Sequence, residues 1–314
     1  MQIKVPCKLS LEHALNFIEP FTMAYVANEI KRFRKTKPNS KFTVSNHEDK
    51  SYAAHMGFFK AFGLIYGKEP GEAAGNNRYL PLTKLSIDEL QNEAYEAYDD
   101  IGNIIESKSR NIAELLTQET NGELVDVLTY SIREIFRNVA EHSGSEVIEY
   151  CGQYWPTKKL VELAVLDTGT GIMKGLSSNP YLDIKSENDA LNLALLPGIS
   201  GKMYKGVKKK KNDVWQNSGF GLYMTSRICR DGGDFFIVIN DSSLFLDSAS
   251  KNKLKCNYKG VALRLRINIS NVSTCSDMLN KYRTEGYDIA KKNGQAIIEP
   301  SVASMMLAKD FSKD

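Results

Sequence analysis

Glu134, Asn138 and His142 recur at intervals of four in one segment of the chain. In a helix that spacing projects all three from one face. A carboxylate and an amide one turn apart suit a magnesium-nucleotide site: the amide oxygen can ligate the metal, and the carboxylate can orient or deprotonate a water or hydroxyl. Magnesium needs few protein ligands where phosphates supply the rest. A second group, Asp167-Thr168-Gly169-Thr170-Gly171-Ile172, follows the apolar run LAVL. An aspartate at a strand end can accept a hydrogen bond from an exocyclic amine, and the glycines let the backbone turn sharply and lie against a flat ring. The third group is Ser218-Gly219-Phe220-Gly221-Leu222-Tyr223, a GxG that enters an expected helix over residues 222–229. Unhindered amides at a helix N-terminus, with the helix dipole behind them, favour phosphate. Taken singly, each group also reads as ordinary structure: a solvated helix face, a tight turn, a helix entry.

These groups need elements to hold them. Leu124, Leu128, Ile132, Ile135 and Val139 recur at intervals of three and four, which predicts a helix from residue 123 to about Ser143-Gly144. Strands are expected over 159–166, 234–240 and 261–269, the last alternating apolar and basic residues. Upstream, an extended start at 3–6, a helix over 11–33, a strand over 41–45 (KFTVS) and a helix over 51–62, with Ser51 as its N-cap, make a small α/β unit. A helical stretch over 86–116 joins the two parts. The expected organisation is therefore a small module over 1–84, a connector over 85–120, an α/β domain over 121–271 and a partly helical tail over 272–314.

Composition bounds the function classes. The chain has 314 residues, 42% of them hydrophobic, enough for two buried cores. Its formal charge of +3 is a small surplus of 41 basic over 38 acidic residues, so no global field points to nucleic acid, and partners must be read locally. No apolar run reaches the roughly 18 residues of a membrane span, and the N-terminus lacks the apolar core of a secretory signal. A soluble cytoplasmic protein is the expectation. The five cysteines are scattered without a CxxC pair, which argues against a zinc site and a disulfide framework.

The order ExxxN on a helix, DxGxG after the next strand and GxG opening a later helix resembles the N, G1 and G2 boxes of the GHKL superfamily, which includes gyrase, MutL and the histidine kinases. The resemblance covers roughly residues 121–270. It implies a Bergerat-type α/β sandwich, a mixed sheet with helices on one face, that holds ATP and magnesium between the layers. It implies that Asn138 ligates magnesium, Asp167 bonds the adenine amine, and Gly169 and Gly171 shape the base pocket, with Ile172 also binding the nucleotide. Gly219 with Gly221 would receive phosphate, Ser218 and Leu222 would belong to the same nucleotide site, His142 could touch phosphate or serve as a structural helix-end histidine, and Glu134 would stand at the catalytic-base position. Residues 174–218, with the basic run Lys208 to Lys211, would form a lid. The family's late GT motif is absent, because Gly260 is followed by Val261 and Ala262.

The expected helix over 86–116 contains no histidine, unlike the phosphoaccepting hairpin of histidine kinases. The glutamate at the base position is instead similar to anti-sigma-factor serine kinases and to gyrase and MutL ATPases. The N-terminal part faintly resembles a STAS domain, with Ser51 as the counterpart of its phosphorylated serine. The resemblance implies a protein partner and a possible homodimer, with no membrane and no indication of nucleic acid. It leaves open an ATPase or serine/threonine kinase-like switch, an ATP-driven dimer clamp and a non-catalytic nucleotide-binding adaptor.

Overall fold

The structure is a computed structural model that describes residues 7–10, 18–76, 78–207, 219–270 and 275–292. In chain order it begins with β1 (Cys7–Ser10), α1 (Pro20–Thr36), β2 (Phe42–Ser45), α2 (Ser51–His55), α3 (Phe58–Ala61) and β3 (Tyr79–Ser86). Then come α4 (Ile87–Glu96), α5 (Ile101–Thr117), α6 (Glu123–Asn138), β4 (Val147–Trp155), β5 (Leu160–Asp167), α7 (Ile172–Leu176) and α8 (Glu187–Ala194). The chain continues with α9 (Gly221–Arg230), β6 (Asp234–Ile239), β7 (Ser242–Leu246), β8 (Lys251–Asn252), β9 (Val261–Asn268) and α10 (Cys275–Lys292). No helix among the described residues is long and apolar enough to cross a membrane.

β5 (LVELAVLD) is apolar almost throughout and β9 (VALRLRIN) alternates apolar and polar residues, and the two lie side by side in the middle of a seven-stranded sheet, ordered β3-β4-β5-β9-β6-β7-β8. Every ladder in it is antiparallel. The mixed sheet expected from the family resemblance is therefore corrected. One face carries Val161, Leu163 and Val165 with Leu263, Leu265 and Ile267, packed in one buried cluster with residues of α5, α6 and α9. The other carries Cys151, Ala164, Leu166, Val238 and Ala262, packed with Phe21, Met23, Ala24 and Ala27 of α1 and with residues of α2 and α3. Helices thus cover both faces, not one. The physical reason lies in the strands, whose second face is also apolar and must be shielded from water. Cys151, Ala164 and Ala262 are small enough for α1 to lie close against it.

The start of α1 is anchored by a buried acid. Glu162 is fully buried on the α1 face, accepts the Phe21 N–H at 2.9 Å, and pairs with Arg266 Nε at 2.6 Å. Arg266 also reaches Glu19 at 2.6 Å, so acid and base tie β5, β9 and the entry of α1 together. Burial raises the Glu162 pKa against the pull of Arg266. Glu162→Gln keeps an acceptor for Phe21 but removes the charge facing Arg266. It is expected to cost about 1–3 kcal/mol, read as a lower urea midpoint.

Local details depart from expectation. The helix expected over 11–33 begins at Pro20 in its first turn, where a proline loses no hydrogen bond; residues 11–17 lie outside the described residues, as does the extended start at 3–6. The helix expected over 51–62 is two helices, because Gly57 adopts φ +83° between them. Ser51 is the first helical residue of α2, not its N-cap; Lys50 holds that position and no side chain caps it. The connector divides into α4 and α5, capped by Ser86 and Asp100. β3 spans residue 84, pairs with β4 and joins the N-terminal segment to the sheet.

Candidate functional site

α6 presents Glu134 and Asn138 toward the sheet, and a π-helical turn, Val139–Ser143, continues it to His142. Such wide turns are frequent where a helix carries a site. Glu134 accepts a hydrogen bond from its neighbour Arg133 at 3.0 Å, and Arg133, 4% exposed, also lies 3.6 Å from Glu106. Arg133 was not identified from sequence. Its signal was a base set inside the apolar period of α6. His142 is pushed down to about 4 by burial, with Lys202 and Arg137 adding to the effect, so its ring is neutral at physiological pH.

β5 ends at Asp167, 4% exposed, whose Oδ1 accepts the Gly169 N–H at 2.7 Å. Burial pushes this carboxyl up to about 6, against the opposing pull of the Gly169 amide. Gly169 does not line the cavity described below. A Cβ there would lie 2.3 Å from the Ser143 carbonyl oxygen, so the glycine lets the turn lie against the end of the π-helical segment. Thr170 N–H reinforces that approach by donating to the same carbonyl at 2.7 Å. Gly169→Ala is accordingly expected to cost about 1–3 kcal/mol by overpacking against backbone, measured by denaturant unfolding. Gly171 adopts φ +80° and leads into Ile172 at the start of α7.

At the far side, Gly219 has φ +74° and packs against Ile199. Gly221 opens α9, and a Cβ there would lie 2.1 Å from Glu134 Oε2; only glycine leaves the carboxylate its place beside this helix start. Glu134, Asn138, His142, Asp167, Gly171, Ile172, Gly219, Gly221 and Leu222 all line one cavity of about 890 Å³, counting its open mouth. Its apolar wall comes from Ile237, Val261 and Leu263 of the sheet, and Ile199, Ser200 and Gly201 close another side. Ser218 and the run Lys208 to Lys211 lie outside the described residues. The segment expected as a lid is described to residue 207 and holds the end of α7 and all of α8; its Lys202 donates to the Glu141 carbonyl at 3.3 Å beside His142.

Among the described residues no group of three or more His, Cys, Asp or Glu side chains can hold a metal ion. A cation in this cavity would have to take most of its ligands from a bound molecule. The arrangement offers a desolvated acceptor, an apolar wall, a helix start with an acid beside it, and an amide and an imidazole along the same helix as that acid. No protein-family model matches the chain, and no curated protein matches it.

Proposed function

We propose that the chain is an ATP- and magnesium-binding regulatory protein of the GHKL type, with a Bergerat-like α/β layer over residues 121–271 and a small STAS-like N-terminal module. The observation that supports it is the gathering of Glu134, Asn138, Asp167, Gly219 and Gly221, spread over nearly ninety residues of chain, around one cavity. Asp167 fits the adenine amine because a buried carboxylate at a strand end gains an acceptor's full value out of water. Gly219 and Gly221 line the cavity at the start of α9, where backbone amides of the helix N-terminus would meet phosphate oxygens beside Glu134. Asn138 would hold magnesium together with the nucleotide's own oxygens; bound there, the metal would neutralise phosphate charge. Glu134, oriented by Arg133, would accept a proton from water or from a hydroxyl of a protein partner. ATP hydrolysis or transfer to such a partner is the activity this set of groups suits.

The absence of a hydroxyl after Gly260 favours a second reading, a nucleotide-binding adaptor without turnover. Calorimetric titration with ATP and ADP, with and without magnesium, followed by a phosphate-release assay, separates the two. Saturable, magnesium-dependent heat with slow phosphate release is the expected result. A purified protein that gives no heat with either nucleotide ends both readings.

A further inference from the structure

A second concave surface is lined by the N-terminal part of the chain. Between Ile30 and His47 the chain holds Lys31, Arg32, Arg34, Lys35, Lys37 and Lys41 and no acidic residue. The fold curls this stretch, the end of α1 and the entry to β2, around α3. The result is a groove of about 790 Å³, counting its open mouth, with Lys31, Arg34, Lys35, Lys37 and Lys60 among its lining residues. None of its lining residues lines the cavity of Asp167. Lys31 and Lys60 each lie near one acid, Glu149 at 3.6 Å and Glu69 at 3.1 Å. Lys35 and Lys37 are exposed, and among the described residues neither has an acidic partner. Arg34 is held in place: it donates to the Phe62 carbonyl and lies over the Phe42 ring, 5.5 Å from its centroid. Phe33, 48% exposed, is not itself a lining residue, but it meets Phe42, which is, edge to face at 5.9 Å, and so keeps part of its ring open beside the groove.

We propose that this groove binds single-stranded nucleic acid, its cations meeting successive phosphates and Phe33 stacking on a base. Net charge on the whole molecule hides the feature because acids elsewhere cancel it. An open ring stacks on an unpaired base, which neither a duplex nor a membrane surface offers. Cations flanking an open aromatic ring are the recurring elements of sequence-tolerant single-strand sites. An acidic peptide would use the charge but leave the ring without a role.

The test is fluorescence anisotropy of the full chain with labelled single-stranded DNA and RNA of about a dozen nucleotides, a length within the range such sites cover. Lys35→Glu with Lys37→Glu is expected to weaken binding about tenfold or more and to flatten the salt dependence, by about 0.7 in the log–log slope for each phosphate no longer neutralised. Phe33→Ala is expected to weaken it about fivefold or more without changing that slope. All three positions are exposed, so the melting temperature should hold, and ATP titration of the charge variant should match the wild type. A wild-type protein that leaves the oligonucleotides unbound, or affinity untouched by both variants, overturns the proposal. So does tighter binding of duplex, of phosphatidylserine vesicles or of polyglutamate that the single strand fails to displace.

Discussion

Asp167→Asn is expected to weaken ATP binding about 10²- to 10³-fold while making the ligand-free protein more stable at neutral pH. The two effects share one cause. The carboxylate is buried, so its charge is costly in the empty protein, and the cost is recovered only when a donor meets it. A hydrogen bond to a charged group contributes about 1.5–3 kcal/mol, and an amide NH₂ facing the adenine amine leaves two donors opposed, for about 1–3 kcal/mol more. Asparagine still offers an oxygen to the Gly169 N–H. The charge costs the empty protein on the order of 1–3 kcal/mol at pH 7, the linkage value of a carboxyl raised from 3.8 to about 6.

The pH dependence has a definite sign. Because its folded pKa is raised, Asp167 takes up its proton first in the folded state, and stability from this group rises as pH falls from about 6 toward 3.8. His142 acts oppositely. Its folded pKa is lowered from 6.5 to about 4, so the unfolded chain binds the proton first and stability is lost as pH falls through that window. In the wild type the two offset each other, whereas Asp167→Asn keeps only the loss. Urea midpoints between pH 6.5 and 4 should therefore fall more steeply in the variant. ATP affinity of the wild type should drop below about pH 6 relative to the variant, the nucleotide's own titration being common to both. Equal affinity of the two proteins at pH 7.5 would remove Asp167 from base recognition.

Glu134→Gln carries the second large effect. Turnover is expected to fall about 10²- to 10⁴-fold, the usual contribution of a positioned base, with ATP affinity changed less than about threefold. Glutamine has the same shape, so it fits beside Gly221 and can still accept from Arg133, but it cannot take a proton. The measurement is single-turnover phosphate release with calorimetry on the same preparation. Unchanged release in the variant would exclude Glu134 as the base; wild-type binding without release would leave the adaptor reading standing.

Much of the site's chemistry could be read in the chain. Acid, amide and imidazole at intervals of four, an aspartate closing an apolar strand, and paired glycines before a helix are local patterns, set by periodicity and by the backbone freedom of glycine. The strands β5, β6 and β9 and the helix α6 were legible for the same reason: their apolar runs or apolar periodicity extend far enough to name the element. Strands β3, β4 and β7 were not, since YLPLTKLS and VIEYCGQYW mix polar and apolar residues on faces that only the neighbouring strands define. Short helices such as α2 and α3 escaped too, because one glycine at a left-handed angle outweighed a continuous helical pattern.

The chain by itself determined which residue types stand at which spacing, and so what each segment could do alone. Only the tertiary structure decided that Gly169 abuts Ser143 while Gly221 abuts Glu134, that Glu162 holds α1 over a second apolar face, and that helices flank the sheet on both sides. Secondary structure follows from interactions within a few residues. Contacts between distant segments follow from which surfaces remain unburied once those elements exist, and that depends on the whole chain at once.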